Sequence, residues 1–317
     1  MTDTGPLFVS SGDLIADRRY KWALDHAARG DLAGAADILA QTVELVPRFA
    51  TAWFADGANR DRLGDRDAAI AAFARARDAD PEDYHGARLQ LARLDAGETT
   101  PAMSESYIRR LFDQYAGRYD AALTEHLNYR GPAVLRGAVE TAMRAANRSN
   151  SPIRFRAMLD LGCGTGLGGA AFRGLADRLT GVDLSPAMIA QAEAKGLYDR
   201  LVTASVADFL AEVATAGTTY DLVLAADVFV YVNDLAPVIA AIARVLAPEG
   251  LLAFTVETHP GEGVKLLPTL RYAYGQATLR AAMTKAGLTL LKIEEAMVRT
   301  EKGEPVEGLV VVAARQA

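Results

Sequence analysis

Residues Leu159 to Gly169 read LDLGCGTGLGG, and fourteen residues later Asp183 follows in TGVDLSPAMI. The pattern is a buried strand, a glycine loop, a helix and a second strand ending on an acid, which is the nucleotide-binding half of a doubly wound α/β sheet. Glycines at Gly162, Gly164 and Gly166 let the backbone approach a ligand with no Cβ in the way. A carboxylate at Asp183 can accept both hydroxyls of a ribose. Gly164, Gly166 and Gly169 also satisfy G-x-G-x-x-G, so on spacing alone a nicotinamide or flavin dinucleotide stands as an alternative ligand.

Working outward from Ala157, short apolar runs alternate with helical segments, as a parallel sheet built from βαβ units requires. Six further strands are expected at Leu179 to Val182, Leu201 to Ala204, Leu222 to Ala225, Leu251 to Val256, Thr289 to Ala296, and Leu309 to Ala314. Between the last two, VRTEKGEPVEG has the glycines and proline of a hairpin turn. Upstream, helices are expected from Glu105 to about Leu127 and from Pro132 to about Ala146.

The N-terminal third repeats itself. Gly30-Asp31 recurs as Gly64-Asp65, Ala35 as Ala69, Leu39 as Phe73 and Pro47 as Pro81, each pair 34 residues apart, the period of the tetratricopeptide (TPR) helix pair. Small residues allow close helix contact, and each proline ends the second helix of its unit. Repeats over 16–49 and 50–83 are expected, then a helix from Tyr84 to Asp95 covering the open end. The linker AGETTPAMSES, Ala96 to Ser106, marks a boundary. The organisation expected is a flexible tail over 1–12, a TPR-like helical domain over 13–97 that binds a protein partner or self-associates, and an α/β domain over 98–317.

A net charge of -6 gives no general electrostatic footprint for nucleic acid or an anionic membrane. The single cysteine, Cys163, excludes an intramolecular disulfide framework. No apolar run approaches the roughly 20 residues of a membrane helix, and MTDTGPLFVSSGD lacks the features of a signal peptide, so a cytoplasmic protein without membrane partners is expected. The four histidines, His26, His85, His126 and His259, show no metal-ligand spacing, and there is no G-x-S-x-G elbow. No metal is expected.

Asp160 begins the run D-x-G-x-G-x-G, which resembles the first motif of class I S-adenosyl-L-methionine-dependent methyltransferases. The terminal hairpin strand agrees, since that family ends on one and dinucleotide-binding dehydrogenases typically do not. The resemblance implies a Rossmann-like seven-stranded sheet with an antiparallel last strand and an enzyme of the EC 2.1.1 class. It implies that Asp160, Gly162, Gly164 and Gly166 cradle the cofactor, that Asp183 holds its ribose, and that Leu184 and Met188 lie beside the adenine. Asp208 and Phe209 in VADF match the pair that flanks the base, and Ala226 and Asp227 match the wall near the methionine part.

LFDQYAGRYDAAL resembles the helix that closes over the cofactor in many small-molecule methyltransferases, with Tyr115 and Tyr119 approaching the sulfonium or the methionine carboxylate. The repeats, FDQYAGRYD and a late RYAYGQATLRAAMTKAGL segment together look like a bacterial group of repeat-containing predicted methyltransferases. That group would have RYAHS where this chain has RYAYG, and the departure removes a histidine and a serine.

The function that follows is in-line methyl transfer to a small-molecule acceptor, the enzyme aligning the two reactants and excluding water. Protein methylation directed by the TPR-like domain, and a non-catalytic cofactor-binding interaction module, are the alternatives. Where the acceptor must lose a proton, His259, just after the fifth strand, and His126 are the candidate bases, with Tyr129, Asp227 and Glu257 behind them.

Overall fold

The computed structural model describes residues 7–121, 129–145, 153–301 and 304–316. The chain forms two compact units, one of residues 1–111 with 266–270 and one of 112–265 with 271–317.

In the first unit, helices α1 (Leu14–Ala28), α2 (Leu32–Leu45), α3 (Ala50–Leu63) and α4 (Arg66–Ala79) form two antiparallel pairs, followed by the short α5 (Ala87–Arg93). The Gly-Asp repeat has a local cause. Gly30 and Gly64 take left-handed backbone at φ 85° and 80° and end their helices, and the Asp31 and Asp65 carboxylates accept backbone N–H groups of the next. One core gathers Ala16, Tyr20, Ala23, Leu39, Val43, Phe49, Ala52 and Ala55, and a second gathers Ala69, Phe73, Leu91 and Leu94.

The helix expected from Tyr84 starts only at Ala87. Asp83 adopts φ 50° and Gly86 φ 73°, and the Asp83 carboxylate accepts the Ala87 N–H at 2.7 Å. Of the expected tail, residues 1–6 lie outside the described residues; Phe8 stacks on Tyr20 at 5.5 Å, and Val9 exchanges two hydrogen bonds with Thr51.

The second unit is a twisted sheet of nine strands among the described residues: β1 (Phe155–Leu161), β2 (Ala176–Asp183), β3 (Arg200–Thr203), β4 (Tyr220–Ala225), β5 (Leu246–Thr258), β6 (Val264–Leu266), β7 (Tyr272–Tyr274), β8 (Leu288–Glu301) and β9 (Glu304–Arg315). β3, β2, β1, β4 and β5 run parallel in that spatial order, β9 pairs antiparallel with β5, and β8 with β9. This is a Rossmann-like doubly wound sheet with antiparallel strands near its C-terminus, and its strand order reverses between β1 and β4. Helices α9 (Leu167–Phe172), α10 (Pro186–Ala194), α11 (Val206–Thr215), α12 (Leu235–Val245) and α13 (Gln276–Lys285) connect the strands. Helix α8 (Gly131–Ala145) buries Leu135, Ala138, Val139 and Ala142 against Met158, Leu222 and Val310.

Three expectations are corrected. The helix from Glu105 breaks into α6 (Glu105–Tyr115), a 3-10 turn over Ala116–Arg118 and α7 (Tyr119–Ala121), with 122–128 outside the described residues. Gly117 lies in that turn, where its low helix propensity costs least. The segment 298–308 is not mainly turn: β8 and β9 pair through Glu301 and Glu304, because alternate residues such as Val298 still bury an apolar side chain. The two three-residue strands β6 and β7 add to the seven expected. At Glu257, β9 holds one edge of β5 through Gly308, so β7, paired through Ala273, takes the edge that β4 leaves beyond Phe254.

Candidate active site

The site is built at the point where the strand order reverses. Past β1, Gly162, Gly164 and Gly166 all take left-handed backbone, at φ 62°, 53° and 94°, and Gly166 opens α9. Only glycine adopts this sequence of angles without strain. A Cβ on Gly164 would meet nothing nearer than the Tyr119 ring at 3.9 Å, so the loop presents bare backbone to the space above it.

Asp183 ends β2 beside the loop. Its Oδ2 accepts the Gly164 N–H at 2.9 Å and its Oδ1 the Ser185 N–H at 2.8 Å. Burial pushes this carboxyl up from its ordinary range, and the backbone amides pull it back. Asp160 lies under the loop, fully buried, and accepts the Tyr198 hydroxyl at 2.7 Å, while the same hydroxyl accepts the Gly169 N–H at 3.0 Å. Burial raises the Asp160 carboxyl to about 7.

Tyr198 fits because glycines leave it room. A Cβ on Gly169 would sit 2.5 Å from its ring, and one on Gly181 2.8 Å. Gly169→Ala is therefore expected to lower stability by about 1–3 kcal/mol through overpacking, read as a lower thermal midpoint. An unchanged midpoint would mean that Tyr198 is free to leave Asp160.

The segment 112–121 covers the loop. Asp113 accepts the Ser185 hydroxyl at 2.5 Å, Asp120 accepts the Thr165 hydroxyl, and Lys195 pairs with Asp120 at 2.6 Å. Tyr119 thereby faces the glycine loop, and burial pushes its phenol up. The space left between Tyr119, Tyr129, Pro132, Asp160, the loop and Ala226 is about 30 Å³. Tyr115 is half-buried at the end of α6 and does not line that space.

Beyond β4, Asp227 holds left-handed backbone at φ 60° and donates its N–H to the Thr255 hydroxyl at 2.9 Å. Its carboxylate meets Arg299 at 2.8 Å, and Arg299 also bonds Glu257. Arg271, immediately before β7, lies 3.5 Å from Glu257 and 3.5 Å from the Tyr231 hydroxyl. The side chains of Arg299, Glu257, Arg271 and Asp227 are between 1% and 9% exposed. This buried ionic cluster is the part of the site that sequence reasoning missed. Glu257 and Asp227 stood among the candidate bases and Arg271 opens the RYAYG stretch, but nothing local gave Arg271 or Arg299 a role in the site.

The remaining expected residues are dispersed. Met188 and Phe209 are fully buried, Leu184 is half-buried beside Asp183, and Asp208 is exposed in the first turn of α11 with its N–H on Ser205. Cys163 is buried in the loop, where burial pushes its thiol up. His259 lines a separate cavity of about 750 Å³ with Glu262, Glu295 and Glu307. Its Nδ1 accepts the Gly261 N–H at 3.1 Å and its Nε2 faces the Gly263 carbonyl at 3.4 Å, so its own turn engages both ring nitrogens. His126 lies outside the described residues. Among the described residues, no group of His, Cys, Asp and Glu side chains is arranged to hold a metal ion, and no helix is long and apolar enough to cross a membrane.

Comparison with known proteins gives one family match, to a methyltransferase domain, over residues 159–254. No curated protein matches. Among solved structures, magnesium protoporphyrin IX methyltransferase from Synechocystis PCC 6803 with bound SAH is 15% identical, covering 67% of this chain and 99% of that one at a TM-score of 0.48. Burkholderia thailandensis 1,6-didemethyltoxoflavin-N1-methyltransferase is 19% identical, covering 66% and 88% at 0.48. An S-adenosylmethionine-dependent methyltransferase from Clostridium acetobutylicum ATCC 824 is 16% identical, covering 65% and 100% at 0.46. Likenesses this distant carry no residue correspondence or substrate. The family match coincides with the glycine loop, Asp183 and the β4 end: residues 159–254 match a methyltransferase domain.

Proposed function

We propose that the chain transfers a methyl group from S-adenosyl-L-methionine to a small-molecule acceptor. The observation that carries this reading is the left-handed glycine loop laid against Asp183 and Asp160 where the strand order reverses. Bare backbone at Gly164 and the acceptor capacity that Asp183 keeps beyond its backbone amide bonds fit a nucleoside. When bound, the cofactor supplies an electrophilic methyl on a sulfonium. The chain's own work is to hold it, aim it and keep water out.

In this reading Asp183 takes the ribose, Leu184 and Met188 border the adenine, and Phe209 backs the base pocket with Asp208 at its rim. Asp160 and Tyr119 sit at the methionine end, and Ala226 and Asp227 wall the methyl group. Enclosure by Tyr119, Tyr129 and Tyr231 suits a small acceptor better than a polypeptide. His259 stays a candidate proton acceptor, and to serve it must release the Gly261 amide. The TPR-like reading of the N-terminal helices rests on the 34-residue period, and α1 leaves Leu14, Ile15 and Trp22 exposed for a protein partner or a second copy.

The test is transfer of isotopic methyl from S-adenosylmethionine in cell extract. Label in the low-molecular-weight fraction is expected. Label confined to protein would favour methylation directed by the repeats, and cofactor binding without transfer would favour an interaction module.

Asp160 makes the cofactor's affinity depend on pH. Its carboxyl titrates at about 7 in the free protein. A nearby ammonium on the methionine part favours the ionised form, so binding releases a proton. Affinity should rise with pH by up to tenfold per unit below about 7, level off, then decline above roughly 8 as the ligand's amino group deprotonates. Calorimetry from pH 5.5 to 8.5 in buffers of differing ionisation enthalpy reads both slope and proton release. A flat profile would separate Asp160 from the ligand.

A further inference from the structure

We infer that the methyl acceptor carries a carboxylate and that Arg271 is the residue that binds it. This rests on the methyltransferase reading and adds to it the chemical class of the acceptor.

The argument begins with the unequal partnering of the two buried guanidinium groups. Arg299 makes close contacts to both Asp227 and Glu257. Among the described residues Arg271 has two partners, Glu257 and the Tyr231 hydroxyl, each at 3.5 Å, the outer limit of a hydrogen bond, and the Nε of each arginine is buried without one. The Arg271 side chain is nonetheless 7% exposed. A guanidinium has five N–H donors in a planar fork, and burying it so poorly satisfied is costly unless something completes the fork.

Charge and position say what completes it. Within the cluster, Arg271 and Arg299 balance Asp227 and Glu257. The long contact with Glu257 leaves the Arg271 charge the least closely compensated of the four, and an oxygen anion completes its fork whether or not the cofactor still carries its methyl group. A monoanion with two coplanar oxygens matches the fork, whereas a phosphate dianion would leave excess negative charge beside Glu257. Arg271 is also where an acceptor belongs. β7 extends the sheet beyond the end of β4, and this places Arg271 in the cluster that includes Asp227 at that end. Its charge lies over the Tyr231 ring at 5.9 Å, which orients the group.

The test uses the full chain saturated with S-adenosylhomocysteine, so that the cofactor's own carboxylate is already seated. Fluorine NMR titrations compare 4-fluorobenzoate with its neutral isostere 4-fluorobenzamide. Saturable binding of the benzoate is expected, at least tenfold tighter than the benzamide. The preference should vanish in Arg271→Gln and survive in part in Arg271→Lys. The comparison of two probes on the unaltered chain stands even if a variant folds poorly.

Equal binding of the two probes, no saturable binding of the benzoate, or a preference that persists in Arg271→Gln overturns the assignment. If the preference appears only without S-adenosylhomocysteine, and that ligand's own affinity falls tenfold in Arg271→Gln, the anion is the cofactor's carboxylate and the acceptor assignment is overturned. An unaltered chain that fails to bind S-adenosylhomocysteine calorimetrically overturns the methyltransferase reading, and this one with it.

Discussion

Arg299→Ala is expected to destabilise the sheet-bearing unit by about 3–5 kcal/mol, the usual result of removing one member of a buried ionic cluster. Arg299 is 1% exposed and joins Asp227, after β4, to Glu257, near the end of β5. Without it, among the described residues, Asp227 at 9% exposure loses its ion pair and Glu257 at 2% keeps Arg271 at 3.5 Å. Domains are stable by only about 5–15 kcal/mol, so the loss is a large share. At roughly 2–4 °C per kcal/mol for a unit of this size, the thermal midpoint should fall by roughly 6–20 °C. The double variant Arg299→Met with Glu257→Leu should lie closer to the wild type than Arg299→Met alone, because it removes a stranded charge along with its partner. A fall below about 1 kcal/mol in the single variant would show that water, rather than Arg299, satisfies the carboxylates.

That cluster also shows where sequence reading stops. The glycine loop, Asp160 and Asp183 are legible because their constraint is local: backbone angles and strand-end carboxylates recur at fixed spacing. The Gly-Asp repeat is legible for the same reason, a left-handed glycine ending one helix and an aspartate capping the next. Arg299 reaches Asp227 across 72 residues and Glu257 across 42, and no periodicity links them. It also sits in a stretch whose glycines and proline suggest a turn, although the strand continues through it. Arg271 is hidden differently. Its strand, Tyr272–Tyr274, is three residues long and exists because β5 outruns β4 and leaves an edge to fill, a tertiary opportunity that the segment itself does not announce. His259 illustrates the converse: its place after β5 suits a base, yet the turn it belongs to, with Gly261 and Gly263, occupies its ring.

Asp183→Ala is expected to weaken S-adenosylmethionine binding by about 2–4 kcal/mol, roughly 30- to 1,000-fold. In the structure the Asp183 carboxylate accepts the Gly164 N–H on Oδ2 and the Ser185 N–H on Oδ1, with the Leu184 N–H also bonded to it, and the roughly four acceptor sites of a carboxylate leave room for a ribose hydroxyl. Alanine removes both acceptors and also the tie that sets the loop against β2. Asp183→Asn separates these effects. Its carbonyl retains one amide bond, but its NH2 must point a donor at the other N–H or at a hydroxyl, so binding should fall nearly as far while the fold changes less. Calorimetric titration with S-adenosylmethionine, with NAD as the contrasting ligand, reads the result. Loss for the first ligand with no binding of the second identifies which adenosine-bearing cofactor the loop serves. Undiminished affinity in Asp183→Ala would remove the cofactor from this crevice, because no other carboxylate at the end of β2 can hold the ribose.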